Sequence, residues 1–226
     1  MQVGLFACNS NEDQQAKETD REPAEDTTAL IESIDTVFSG DMIQAFDATA
    51  FSEYAKKQAP GFDWSRFRMT TSWTDDSLLV TPFKPEKQFF DHYGSLMKFS
   101  PDSTLFIDLD SYTIDVKKDN SGRLRGDALG PDTEVSLVSI PDGKKTRLLF
   151  LGPGGSVEDA LWLNKEDIVV IGVQDYGDAS GKVAAVWKYN IPTQTFFLYE
   201  LTGDSASARK IMGYWRKERL KEVLNN

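Results

Sequence analysis

The 226-residue chain contains one cysteine, Cys8, and one histidine, His92. A single cysteine excludes an intramolecular disulfide and any cysteine-cluster metal site. A single histidine excludes a zinc site built on two histidines. Basic residues are also scarce: 25 Lys and Arg stand against 36 Asp and Glu, a formal net charge of −11. Nucleic-acid binding needs clustered cations to neutralise phosphates, so the balance argues against nucleic acid as a partner. No apolar run approaches the roughly 20 residues of a membrane-spanning helix. The chain has no Gly-x-Ser-x-Gly nucleophile elbow. Its glycine-rich run, Gly152-Pro153-Gly154-Gly155-Ser156, lacks the lysine of a phosphate-cradling loop and reads as a turn. Asp175, Asp178 and Ser180 lack the closing Glu of a helix-loop-helix calcium loop. These residues assign no catalytic constellation, no metal site and no cofactor.

Aromatic residues, by contrast, are plentiful, with five Trp, seven Tyr and fourteen Phe. That content argues for a real core rather than a disordered chain, and the length suits one domain with an attached tail. The tail lies at the start. Asn9 to Asp26 hold seven acids against Lys17 and Arg21, a net of −5, with almost no apolar residue. Such a segment cannot bury enough surface to fold and reads as a solvated tether, so residues 1–26 are set apart from a single β-rich domain over residues 27–226.

Immediately before that tether, Leu5-Phe6-Ala7-Cys8 resembles the cleavage box of bacterial lipoproteins. The resemblance implies a lipidated Cys8, attachment to a membrane through it, and a place in the outer membrane or periplasm. A secretory leader needs a basic start and an apolar stretch of about 7–15 residues. Only Met1 to Ala7 precede Cys8, with no Lys or Arg, so the expectation is that the printed start lies inside a longer leader. The alternative is an isolated cysteine in a charged N-terminus.

From Thr27 the pattern becomes helical. Leu30, Ile31, Ile34, Val37 and Phe38 recur at helical spacing, with Gly40 as a stop. Ile43, Phe46, Ala50, Phe51 and Tyr54 define a second amphipathic helix that ends before Pro60-Gly61. Residues 62–94 are aromatic and broken by prolines. Trp73 to Val80 reads as a degenerate turn-plus-strand, and Pro82 to Tyr93 as a long surface loop. Long ordered loops often carry function, which makes Phe89, Phe90, His92 and Tyr93 candidate ligand-binding residues.

The rest is organised by a repeat. Phe99-Ser100-Pro101-Asp102-Ser103 leads into Leu105-Phe106-Ile107; Leu163-Asn164-Lys165-Glu166-Asp167 leads into Ile168-Val169-Val170-Ile171. Phe99 to Leu163 and Tyr112 to Tyr176 are both separated by 64 residues, whereas Ile140-Pro141 and Ile191-Pro192 are separated by 51. The shortfall falls on the longer loop at Lys117 to Pro131. Glu134–Ile140 and Thr146–Leu151 flank a hairpin turn at Pro141-Asp142-Gly143-Lys144; Val183–Tyr189 and Thr195–Leu201 flank another. Each unit is expected to be a four-stranded antiparallel meander. The fold class is therefore mainly β (α+β), with two or three such units, two short N-terminal helices and a C-terminal helix.

Such units resemble the blades of periplasmic and peptidase-associated β-propellers, in which a Ser-Pro-Asp-Ser-like turn precedes an apolar strand. Two or three blades cannot close a ring that needs at least four. The blades must then pack as a sandwich, or helices must cover their open edges. Ser100-Pro101-Asp102-Ser103, Phe106 to Tyr112, and Val157 to Trp162 are also similar to runs in uncharacterised lipoproteins of Gram-negative bacteria. That likeness covers residues 94–176 and implies no activity.

Asp108 and Asp110, two apart on a strand, project from one face and complete the candidate site; the commoner role for such acids is a solvated strand face. His92 near Asp91 or Asp108 offers a general base. Ser205 to Asn226 carries six Lys or Arg against two Glu, a net of +4, with Ile211, Met212, Trp215, Leu220, Val223 and Leu224 on an apolar side. It suits an anionic membrane or a partner, or packing across the acidic β-body of the same chain. The leading expectation is a non-catalytic, lipid-anchored cell-envelope protein acting as a binding or assembly module with an envelope protein partner. The alternatives are a hydrolase of envelope glycans using Asp108, Asp110 or His92, and a subunit that completes a sheet with a partner chain.

Overall fold

The computed structural model describes residues 37–177 and 181–224. Cys8, the acidic stretch to Asp26, and Leu30, Ile31 and Ile34 lie outside the described residues, as do Asp178 and Ser180. Helix α1 (Gly40–Asp47) begins where a stop was expected. Ser39 accepts from the Met42 amide at 3.3 Å and so caps a helix that Gly40 opens. Val37 forms a single bridge with Arg68 instead of continuing a helix. The second expected helix is likewise interrupted at Thr49, whose hydroxyl donates to Phe46 O (2.7 Å) and accepts from the Ser52 amide (3.1 Å). That local bonding competes with helix continuation and starts α2 (Ala50–Gln58) afresh.

After a short 3₁₀ turn (Trp64–Arg66), strands β1 (Arg68–Thr74) and β2 (Val80–Pro82) follow. They are not a third repeat unit, because each joins a different sheet as an edge strand. The segment expected as loop contains one short helix, α3 (Phe89–Tyr93). The first meander is β3 (Lys98–Phe99), β4 (Leu105–Asp108), β7 (Thr133–Ser139) and β8 (Lys144–Leu151). Its long internal connection is a separate hairpin of β5 (Ile114–Lys118) and β6 (Leu124–Ala128), which accounts for the shortfall in the repeat spacing. The second meander is β9 (Ser156–Trp162), β10 (Asp167–Asp175), β11 (Lys182–Asn190) and β12 (Thr195–Leu201).

The two sheets run β1-β12-β11-β10-β9 and β2-β8-β7-β4-β3, antiparallel throughout. The same pattern, a meander extended by one strand beyond its last, is thus built twice. Strand alternation then divides the side chains. Ile168, Val170, Ala185, Trp187 and Leu198 face Ile107, Val135 and Leu137 of the other sheet, with Leu109 just beyond β4, forming a shared core. Val169, Ile171, Val173, Ala184 and Val186 point the opposite way, into Phe38, Phe46, Phe51, Trp64 and Phe67. Each of these large buried side chains contributes about 1.5–3 kcal/mol. Gly172 is required by close approach: a Cβ there would lie 2.1 Å from Ser156 O, at the β9–β10 register shift.

The C-terminal segment is not one helix. α4 (Ser205–Ile211) stops at Met212 and Gly213, the latter at φ +85°; a π turn (Trp215–Arg219) and α5 (Lys221–Leu224) follow. α4 packs Ala208 and Ile211 on the helical side of the second meander's sheet, while Leu220 and Val223 reach Ile114 and Val116 of the β5–β6 hairpin. The described residues make one compact unit. Among the described residues no helix is long and apolar enough to cross a membrane.

Candidate binding cleft

The outer face of the first meander's sheet, β2-β8-β7-β4-β3, carries the site. Strand pairing places Phe106 and Asp108 of β4 opposite Val138 and Ser136 of β7, which in turn face Lys145 and Arg147 of β8. Phe106 and Val138 are fully buried there beneath Phe83, Phe89 and Tyr93. The polar half of the same face is covered less completely. A cleft of about 780 Å³ opens between the α3 segment, the β5–β6 hairpin and β8. Phe89, His92, Tyr93, Asp108, Lys118 and Lys145 are among the residues that line it. The volume lies within the range of small-ligand sites.

Each wall is held by identifiable bonds. The Tyr93 hydroxyl donates to Ile114 O (2.9 Å) and accepts from the Val116 amide (3.0 Å), fastening α3 to β5. Burial pushes this hydroxyl above its ordinary range, with the Val116 bond opposing, so it stays protonated and able to donate. Asp108 is buried, and its Oδ1 accepts the amides of Asp110 (3.1 Å) and Ser111 (3.0 Å). Its Oδ2 accepts from the Ser111 hydroxyl and lies 3.5 Å from Lys145 Nζ. Lys145 is shared with Glu134 at 3.2 Å, and Arg147 closes on the other oxygen of Glu134 at 2.7 Å. Burial raises the Glu134 carboxyl, but the Ser136 hydroxyl, Lys145 and Arg147 outweigh it and hold the group below its usual value.

Of the residues expected to bind ligand, Phe89, His92, Tyr93 and Asp108 therefore share one cleft. Phe90 does not line it; that ring packs against Phe83 and Phe106 and is otherwise exposed. Asp110 is not a partner of Asp108 on one solvated face. β4 ends at Asp108, the chain turns, and Asp110 is buried against Arg219, whose Nη1 and Nη2 donate to its two oxygens at 2.7 and 2.9 Å. Burial pushes the Asp110 carboxyl above its ordinary value and Arg219 only partly offsets this, whereas Asp110 keeps the buried Arg219 charged. The C-terminal segment thus docks on the acidic β-body through this bidentate pair and through the Gly213 amide, which donates to Glu158 Oε1 at 3.0 Å, while Arg209, Lys210 and Lys217 remain exposed. Among the described residues no cluster of three acidic, histidine or cysteine side chains is placed to hold a metal ion.

Lys145, Glu134 and Arg147 were not singled out by sequence reasoning. Lys145 follows a Pro-Asp-Gly-Lys hairpin turn and reads as a solvent cation. Only the pairing of β4 with β7 across the intervening hairpin brings it beside Asp108. Comparisons with protein-family models, curated proteins and solved structures return no match for this chain.

Proposed function

We propose that the chain is a non-catalytic, lipid-anchored cell-envelope protein, a binding or assembly module whose contact site is the cleft beside α3. The observation that carries this reading is the use to which the two candidate acids, Asp108 and Asp110, are put. Asp108 spends its oxygens on two turn amides, Ser111 and Lys145, and Asp110 is sealed against Arg219, so both act as structural anchors. His92 and the half-buried Phe89 remain at the cleft wall, a mixed polar and aromatic surface suited to contact. The membrane attachment rests on the Leu5-Phe6-Ala7-Cys8 box and the acidic tether.

The sheet-completing alternative has less support, because three of the four edge strands are blunted. β1 carries a register irregularity between Met69 and Thr71, β2 is three residues long and ends in Pro82, and β3 has two residues.

Two measurements test the proposal. Intact mass of protein from the membrane fraction is expected to show an acylated Cys8 at the mature N-terminus; a free thiol on a water-soluble chain overturns the anchor. Capture from detergent-solubilised envelope is expected to retain a partner that His92→Glu and Lys118→Glu release. Equal retention by those variants removes the cleft as the contact site.

A further inference from the structure

We infer that a second site, the pocket between Phe150 and Tyr176 at one end of the two sheets, is built to hold a neutral saccharide unit. Three large rings at this end do no core work: Phe150 and Tyr176 are each 45% exposed and Tyr112 is 41% exposed. Scattered exposed aromatics are ordinary, but these are grouped and fixed. The register shift between Val135 and Ser136 turns Phe150 outward, onto the same face as Glu134. There the Tyr112 ring stands edge-on to it at 5.7 Å, and the Arg147 guanidinium lies 5.1 Å from its centroid. Glu134 fixes Arg147 in turn. On the opposite wall the Tyr176 hydroxyl donates to Glu200. Tyr112 and Tyr176 are the 64-residue repeat mates, so the duplication itself brings a tyrosine to this end of both sheets.

The floor is the glycine-rich connection from β8 to β9, the run without a phosphate-loop lysine. Gly154 lies so close to Asp175 that a Cβ would sit 2.4 Å from its Oδ2. Lys182 ties the loop down by donating to Gly154 O and to Asp175 Oδ2, the latter at 2.9 Å. The resulting pocket, about 320 Å³, is lined by Phe150, Gly152, Gly154, Gln174, Asp175 and Tyr176. Its size is at the lower end for small-ligand sites, and fixed rings reduce the entropy cost of binding.

The chemistry of the walls selects the ligand. Aromatic faces are electronegative and attract the C–H groups on one face of a pyranose ring. The Gln174 amide, which donates to Asp175 O over a long 3.4 Å, can turn to pair with hydroxyls, as can the loop's backbone groups. Charges are neutralised locally, Lys182 by Asp175 and Arg147 by Glu134. Among the described residues lining the pocket an anionic sugar would find no free cation, and it would approach a chain of net charge −11. The fitting class is therefore neutral.

The test is saturation-transfer NMR on the full chain with maltotetraose, cellotetraose, xylotetraose, mannotetraose and chitotetraose, with sialyllactose and a hexaproline peptide as comparators. At least one neutral oligosaccharide is expected to receive transfer at its ring C–H protons. Phe150→Ala and Tyr176→Ala are each expected to weaken that binding about tenfold, equivalent to about 1.4 kcal/mol. Gly152→Leu provides a variant that leaves the fold intact, since a Cβ there meets nothing within 4 Å. It is expected to weaken binding by filling the pocket, whereas His92→Glu in the separate cleft leaves it unchanged. Transfer to none of the five neutral sugars, binding indifferent to Phe150→Ala and Gly152→Leu, or binding of only sialyllactose or hexaproline overturns the inference.

Discussion

Arg219 shows most directly how a single side chain fixes larger structure. It is nearly buried and reaches Asp110 across 109 residues of sequence. Removing one member of such a pair leaves the other charge buried and uncompensated, at a cost of about 3–5 kcal/mol. Arg219→Leu is thus expected to lower urea stability by about that amount, and Asp110→Leu/Arg219→Leu to recover most of the loss. A single-variant cost below about 1 kcal/mol would show that the pair forms only loosely. Glu134 makes a pH-dependent prediction. Its folded pKa is lowered from the ordinary 4.5, so the stability it contributes is whole above that value and is lost as pH falls through the folded one. Asp110, raised by burial, works in the opposite direction on acidification. Stability measured from pH 6 to pH 2 should therefore fall less steeply below about pH 4.5 in Glu134→Gln than in the parent chain. Neither role was visible in the sequence. Asp110 reads as one of two alternating acids on a strand, and its partner can be found only once the chain has folded back.

Among the elements, the β5–β6 hairpin is the most dependent on its neighbours. Among the described residues it pairs with no other strand, and its apolar side chains, Ile114 and Val116, are buried by Leu220 and Val223 of the C-terminal segment. An isolated two-stranded hairpin is marginal in water. Tyr93 holds it from the other side, through the two hydrogen bonds at Ile114 and Val116. Deleting residues 213–226 is therefore expected to abolish hydrogen-exchange protection over residues 114–128 while β7, β10 and β11 keep theirs. Protection retained in the truncated chain would mean the hairpin stands without this support. The sequence announced these elements unevenly. Strands with a clear period of two were legible to within a residue or two, and Thr195–Leu201 matches at both ends. Helix boundaries were misplaced where a side chain overrode the apolar pattern, at Ser39, Thr49 and the Met212–Gly213 break. The hairpin reads as a loop in the sequence because Lys117 to Pro131 is polar, and the core contacts at Ile114 and Val116 lie before it.

At the scale of the molecule, the repeat was legible because its two copies keep one spacing over most of their length, and the alternation implied two apolar faces for each sheet. How those faces are shared was not legible, since periodicity does not say which face meets which. In the structure one face of each sheet enters a common core, in which Trp187, Tyr189 and Phe196 pack with Ile107, Leu137 and Leu151. Neither meander can bury that face alone, so separating them would expose a continuous apolar surface from both. The two repeats, although similar in topology, should therefore unfold together. In urea, tryptophan fluorescence, four of whose five sources (Trp64, Trp73, Trp162 and Trp187) lie around the second meander's sheet, is expected to give the same midpoint as far-UV circular dichroism. The separate fragments 94–151 and 156–224 should each lack cooperative structure. Two resolved transitions, or a folded fragment, would instead mean that each unit closes its own core and that the face shared between the sheets is only an interface between independent folds.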